Sequence, residues 1–255
     1  NVLSKLGAPP RTETAQLGHL LPDMLRTIKL VTGSKTTDKL ARYDIHGDFM
    51  RFSVYGMGAD AVLTAPLDLS CFGPKSLTLK VHDWRRIIET LSPLRKQLRA
   101  VSVKGAQIVV EFDESAVPDI DKWFEESGKA KKIGVSDGAA LDIALDAKEI
   151  EQDYLAELNW QSAVTVSQDQ IAPLLGFKPT KKLVAVPLAA GAVKPTATDK
   201  ALKDHVNLGR KALSALQGAA KKMLRLSSEL VLERADSYLR ITSRYDDGLE
   251  LSLIV

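Results

Sequence analysis

Apolar and polar residues alternate in three short runs early in the chain, Leu40–Ile45, Met50–Tyr55 and Ala61–Leu67. Period two over this length predicts strands with one buried face. His46-Gly47-Asp48 and Gly56-Met57-Gly58 separate the runs, and Gly and Asp tolerate the positive φ of tight hairpins. Upstream, Leu20, Leu21, Met24, Leu25 and Ile28 recur at helical spacing and predict a helix over 17–31, with Arg26 and Lys29 on its polar side. Pro22 is compatible with that helix in its first turn, and Gly33-Ser34 ends it. Residues 1–16, with Pro9-Pro10, read as a lead-in without regular structure.

The stretch from Lys75 to Phe112 is the most legible. Leu77, Leu79 and Val81 alternate with polar neighbours, then the period changes at His82-Asp83. Asp83 is a candidate N-cap, and Trp84, Ile87, Ile88 and Leu91 follow on one helical face. Pro93 ends or kinks that helix. Val101 and Val103 resume the alternation, Lys104-Gly105 turns the chain, and Ile108–Phe112 completes a strand pair. The opposite face of the helical segment carries Arg85, Arg86, Arg95, Lys96 and Arg99 against Asp83 and Glu89.

A similar order of elements returns after residue 200. Lys200–Arg225 reads as a helix with seven basic residues and one acid, Asp204, packing through Leu208, Ala212, Ala215, Leu216 and Ala219. Strands over 224–232, 238–242 and 249–253 follow, with turns at Ala235–Ser237 and Asp246–Gly248. The residues of the two stretches do not match but the sequence of elements does, which points to a duplicated architecture. The last run, Leu249–Val255, is apolar enough to require a place inside a sheet or against another subunit. Between the copies the pattern is weaker. Strands are expected over 141–146, 163–166 and 182–187, helices over 148–158 and 169–175, and a loop over 188–198. The acidic Asp113–Ser127 and the basic Lys129–Lys132 mark a composition shift, so residues 17–112 and 140–255 are assigned as two domains joined by a linker at 113–139.

Composition narrows the function classes. A chain of 255 residues with 45% hydrophobic and 26% charged residues is ordinary for a globular protein with a sizeable core. It holds no apolar run of membrane-spanning length and no signal-peptide core at its start. The single Cys71 excludes an internal disulfide and fits a reducing, cytoplasmic setting. A net charge of +3 is small, so the concentration of Lys and Arg on two helices carries more information than the total. Phosphate loops, zinc-binding helices, dinucleotide fingerprints and nucleophile elbows are all missing. His19, His46, His82 and His205 are scattered singly, and Asp44, Asp48, Asp246 and Asp247 fall at turns. No catalytic residue, metal or cofactor is therefore assigned.

The order helix, three strands, strand, helix, two strands, then a linker and a second approximate copy, resembles the DNA sliding clamps, the family of proliferating cell nuclear antigen and the bacterial polymerase III beta subunit. The resemblance covers 17–112 well and 200–255 fairly, and rests on the pattern of elements. It implies an α+β fold of two antiparallel-sheet domains, each backed by two helices. It also implies a non-enzymatic processivity factor closing as a homo-oligomer, a trimer for a two-domain chain. Basic helices would face duplex DNA, and an outer hydrophobic pocket by the interdomain connector would take peptides from DNA polymerase or other replication proteins. The candidate DNA-binding residues are Arg26, Lys29, Arg85, Arg86, Arg95, Lys96, Arg99, Lys203, Arg210, Lys211, Lys221 and Lys222. Glu149, Glu151, Asp153 and Glu157 give the segment at 148–158 the opposite sign. Two rival readings use the same residues differently: a nucleic-acid-binding replication accessory protein that forms no ring, and an enzyme with its site in an interdomain cleft.

Overall fold

The structure, a computed structural model, describes residues 13–32, 39–46, 49–56, 58–66, 76–92, 95, 98–104, 107–112, 134–136, 140–144, 154–245 and 248–255. Residues 1–12 of the expected lead-in, the loop at Cys71–Pro74, most of the linker and residues 148–153 of the expected acidic helix lie outside them, while residues 13–16, expected to lack regular structure, are helical. Helix α1 (Glu13–Thr32) precedes strands β1 (Leu40–His46), β2 (Phe49–Val54), β3 (Asp60–Pro66) and β4 (Ser76–Lys80). Helix α2 (Val81–Leu91) leads to β5 (Leu98–Lys104), β6 (Gln107–Phe112), β7 (Gly134–Ser136) and β8 (Ala140–Ala144). A short α3 (Tyr154–Glu157) is followed by β9 (Gln161–Ser167), α4 (Gln168–Gly176), β10 (Leu183–Pro187), β11 (Thr196–Thr198) and β12 (His205–Gly209). The chain then runs through α5 (Arg210–Met223), β13 (Glu229–Ala235), β14 (Tyr238–Tyr245) and β15 (Leu249–Ile254).

All described strand pairings are antiparallel, and the class is α+β as expected. An eight-stranded sheet has the order β4-β1-β2-β3-β15-β14-β13-β9, a three-stranded one β11-β10-β12, and a four-stranded one β5-β6-β8-β7. The large sheet draws four strands from each half of the sequence, joined where Leu63 of β3 faces Leu251 of β15. The apolar β15 is thus internal, one of the two arrangements its composition demanded.

Alternation along the strands sorts the two faces of this sheet. Met50, Phe52 and Val54, Leu63 and Ala65, and Leu251 and Leu253 are buried toward the helices. Tyr43, Leu79, Trp84, Ile88 and Leu91 join the first group beneath α1 and α2, while Leu213, Leu216, Ala220 and Met223 of α5 close over the second. Trp84 anchors α2: it is 3% exposed, its Nε1 donates to the Ala41 carbonyl at 2.9 Å, and its ring stands edge-on to Phe52 at 5.2 Å.

Three times a strand passes into a helix with no loop between. Lys80 (ψ 145°), Ser167 (ψ 172°) and Gly209 (ψ 164°) are extended N-caps, and of these Ser167 alone forms a capping box, with Gln170. This device moves two expected boundaries. Helix α2 starts at Val81, so Asp83 lies in its first turn and does not cap it. The second basic helix starts at Arg210, and His205–Gly209, expected as helix, is a strand paired with β10. Helix α1 begins at Glu13, which puts Pro22 in its interior; the buried stripe Leu20, Leu21, Met24 and Ile28 holds the helix through the missing hydrogen bond. Thr196–Thr198, within the expected loop at 188–198, pairs with β10 as a third strand.

Candidate nucleic-acid interface

Helix α1 packs between α2 on one side and α5 on the other, and α5 in turn meets α4. The helices that carry candidate Lys and Arg residues, far apart in the sequence, are therefore neighbours on the helical side of the sheets; within their observed bounds α1 and α2 balance cations with acids, and α5 alone has a net positive charge. Around the C-terminal end of α1 the contacts are direct. Arg85 of α2 donates from Nη2 to Thr32 Oγ1 at 3.2 Å, and Lys222 Nζ of α5 lies 3.5 Å from the carbonyl of Lys29. Lys29 and Lys222 are exposed, and Arg85 is half-buried. One turn earlier on α1, Arg26 is ion-paired with Asp23, which also accepts a hydrogen bond from Tyr245 at 3.4 Å. Burial raises the Asp23 carboxyl above the ordinary carboxylate range, against the opposing pull of Arg26. Burial, together with the neighbouring Asp23 charge, pushes the Tyr245 phenol up to about 12.

Arg86 is half-buried, with Nη2 3.7 Å from Asp83 on its own helix. On α5 the exposed positions Lys211, Ser214, Gly218, Lys221 and Lys222 follow helical spacing and form one basic stripe, with Arg225 exposed in the turn just beyond its end. Arg210 stands exposed at the first position of the helix.

The other candidates are placed differently from the expectation. Arg95 is an exposed turn residue beyond the end of α2, Arg99 lies in β5, and Lys96 lies outside the described residues. The helix that was to carry them stops at Leu91, with Ser92 as its C-cap. Lys203 is exposed in the turn before β12, next to Asp204 at φ 64°. Sequence reasoning did not single out Arg225, which extends the α5 stripe, or Lys178, Lys181 and Lys182, exposed in the segment after α4.

The other face of the large sheet bears a different site. Residues 154–160 cross it over the β3–β15 junction, where Leu155 is buried against Val62 and Ile254. Asp60 fixes the start of this strap by accepting from the Tyr154 hydroxyl and, at 2.6 Å, from the Gly56 amide. Gly56 has no room for a side chain: a Cβ there would lie 1.9 Å from the Ala59 carbonyl oxygen. Burial, followed by the Asp60 contact, raises the Tyr154 phenol well above its ordinary value. Trp160 lies under the Arg240 guanidinium at 4.3 Å. Beside the strap is a cavity of about 250 Å³ whose lining includes the apolar Val62, Leu155, Leu158, Trp160 and Ile254 and the charged Arg51, Arg240 and Glu250. Among the described residues no group of three or more His, Cys, Asp and Glu side chains is placed to hold a metal ion. No described helix is long and apolar enough to cross a membrane.

No protein-family model and no curated protein sequence matches the chain. Solved structures do. The beta subunit of DNA polymerase from Streptococcus pyogenes superposes with a TM-score of 0.56 at 12% identity, over 93% of this chain and 62% of that one. The C. crescentus beta sliding clamp gives 0.54 at 12% identity, over 98% and 68%. The H. pylori beta clamp gives 0.52 at 10% identity, over 92% and 63%. The chain has the sliding-clamp fold, and it spans roughly two thirds of the length of the clamps it resembles.

Proposed function

We propose that this chain is a non-catalytic processivity factor of DNA replication or repair, holding duplex DNA against its helices without reading sequence. The observation that carries the reading is the adjacency of α2, α1 and α5, which places Arg85, Lys29, Lys222 and the α5 stripe on neighbouring helices of a sliding-clamp fold. Lysine and arginine heads there neutralise backbone phosphates and release counterions, a term indifferent to base sequence and therefore compatible with sliding. The two approximate copies of the element order act as the repeats of the architecture, and copies of the chain close head to tail as a homo-oligomer, a trimer if the ring is of the two-domain type. Duplex DNA occupies the helical side. The cavity beside the 154–160 strap, lined by both apolar and charged side chains, takes a peptide segment of a polymerase or another replication protein. The protein works in the cytoplasm and needs no cofactor.

Two measurements test this. Sedimentation at micromolar concentration should give a single closed homo-oligomer; a strictly monomeric chain removes the ring and leaves the non-ring accessory factor. Salt-titrated binding to duplexes of unrelated sequence should give nearly equal affinities and a steep log–log slope, about −0.9 per phosphate neutralised. Replacing Lys221 and Lys222 with Ala should weaken every duplex alike and flatten that slope by about one for each phosphate left without its cation. An unchanged slope in that variant and in Arg85→Ala would sink the DNA reading.

A further inference from the structure

Helix α4 breaks the pattern of its neighbours. Its exposed residues, Gln168, Asp169, Ala172, Pro173 and Gly176, include no cation, so it cannot contribute to a phosphate track. The six residues that follow, Phe177–Lys182, carry three exposed lysines, Lys178, Lys181 and Lys182. That segment is fastened to α5 at two points. Gln217 of α5 donates from Nε2 to the carbonyls of Leu174 at 2.9 Å and Phe177 at 2.8 Å, and Arg210 donates from Nε to the Lys181 carbonyl at 3.3 Å. The β10–β12 ladder adds a third constraint: Leu183 pairs with Gly209, which sets Lys182 beside Arg210 at the start of α5. Four cations from two distant parts of the sequence, Lys181, Lys182, Arg210 and Lys211, therefore meet where α5 begins. The acid ion-paired within this group is Asp199, 3.7 Å from Lys181, with both side chains more than half exposed. An ion pair that open to solvent leaves most of the positive potential in place.

We infer that the Phe177–Lys182 segment, with the first turn of α5, is a second phosphate-backbone site that takes the place of α4 along the DNA. This rests on the DNA-binding reading above and adds to it a contact made by a loop. Three features favour a duplex backbone as occupant. The charges are exposed lysine and arginine heads, the loop is held in register by hydrogen bonds to α5, and the group continues the stripe of Lys221 and Arg225 toward the N-terminal end of that helix. Rigid spacing matters here, because a mobile loop would lose ordering entropy on every encounter and give back part of the gain.

The test is salt-titrated fluorescence anisotropy of the full chain on short duplexes of unrelated sequence, with thermal melts confirming that each variant is folded. Replacing Lys178, Lys181 and Lys182 together with Ala should weaken all duplexes alike and reduce the log–log slope by about 0.9 for each phosphate no longer neutralised, up to about 2.7. Exchanging the same three for Arg should restore the slope. Gln217→Ala keeps every charge and frees the loop, so it should lower affinity with the slope nearly unchanged. If the triple Ala variant binds as the parent does while Lys221→Ala with Lys222→Ala flattens the slope, the loop site is wrong and the helical track stands. If the parent chain shows no salt-dependent duplex binding at all, both fall together.

Discussion

Gly218 is the ninth residue of α5 and lies in the middle of its exposed basic stripe, a position where glycine is costly. In a helix interior glycine is less favourable than alanine by about 0.8–1.0 kcal/mol, because the unfolded chain loses more backbone freedom. The structure offers no local reason for it: a Cβ built at Gly218 would meet nothing within 4 Å, and its backbone is ordinary right-handed helix. Gly218→Ala should therefore stabilise the chain by the propensity difference alone, since no apolar area is buried and no clash is introduced. For a chain of this size about 1 kcal/mol corresponds to a rise of roughly 2–4 °C in melting temperature. Scanning calorimetry on the parent and the variant, with urea titration for the free energy, measures this. Duplex binding should keep its salt slope, because no charge has been removed. An unchanged or lower melting temperature would refute the reasoning, for it would mean the solvent side of α5 is packed against something. In a closed ring with a free central channel that side must stay open.

Two further outcomes concern parts of the fold remote from the basic stripe. Trp84→Ala should cost about 3–5 kcal/mol, while Trp84→Phe, which keeps most of the volume but loses the bond to the Ala41 carbonyl, should cost about 1–2 kcal/mol; no loss in Trp84→Phe in urea titration would mean that the hydrogen bond contributes nothing. The Tyr154 phenol is raised in the folded chain above its unfolded value near 10, so the stability it contributes is whole below pH 10 and is lost as pH climbs beyond it. Tyr154→Phe should start less stable at pH 8, having lost its bond to Asp60, yet decline less steeply above pH 10 than the parent; parallel curves would show that this phenol does not govern the alkaline limb.

Much of this architecture was legible because period two and helical spacing survive in short segments. Strands β1 to β3 and helix α2 fall where Leu40–Leu67 and Trp84–Leu91 place them. The errors gather where a strand becomes a helix without a loop, since Val81 satisfies both periods and His205–Gly209 is too short to declare its own among lysines and alanines. Arg95 and Arg99 were assigned to a helix that had already ended at Leu91. Lys178, Lys181 and Lys182 gave no signal at all. Their significance depends on the pairing of β10 with β12, and a tertiary pairing of that kind leaves no periodicity in the chain. The sharing of one sheet by β3 and β15 was equally invisible. The apolar character of 249–255 said only that some neighbour was needed.

That shared sheet has a consequence for how the chain comes to be folded. β3 emerges well before β15, the strand that covers its free edge, because residues 67–248 are translated between them. Until then Ala61, Leu63 and Ala65 belong to an open, apolar sheet margin, the kind that pairs with other nascent chains. Pairing β3 with β15 closes a long loop between Leu63 and Leu251, and contacts of such sequence separation are slow to form. Loss of even the final strand would leave β3 and β14 both uncovered at the centre of the sheet. Folding of the first half is then provisional, and its completion a late event that cells making this protein in quantity have reason to shield.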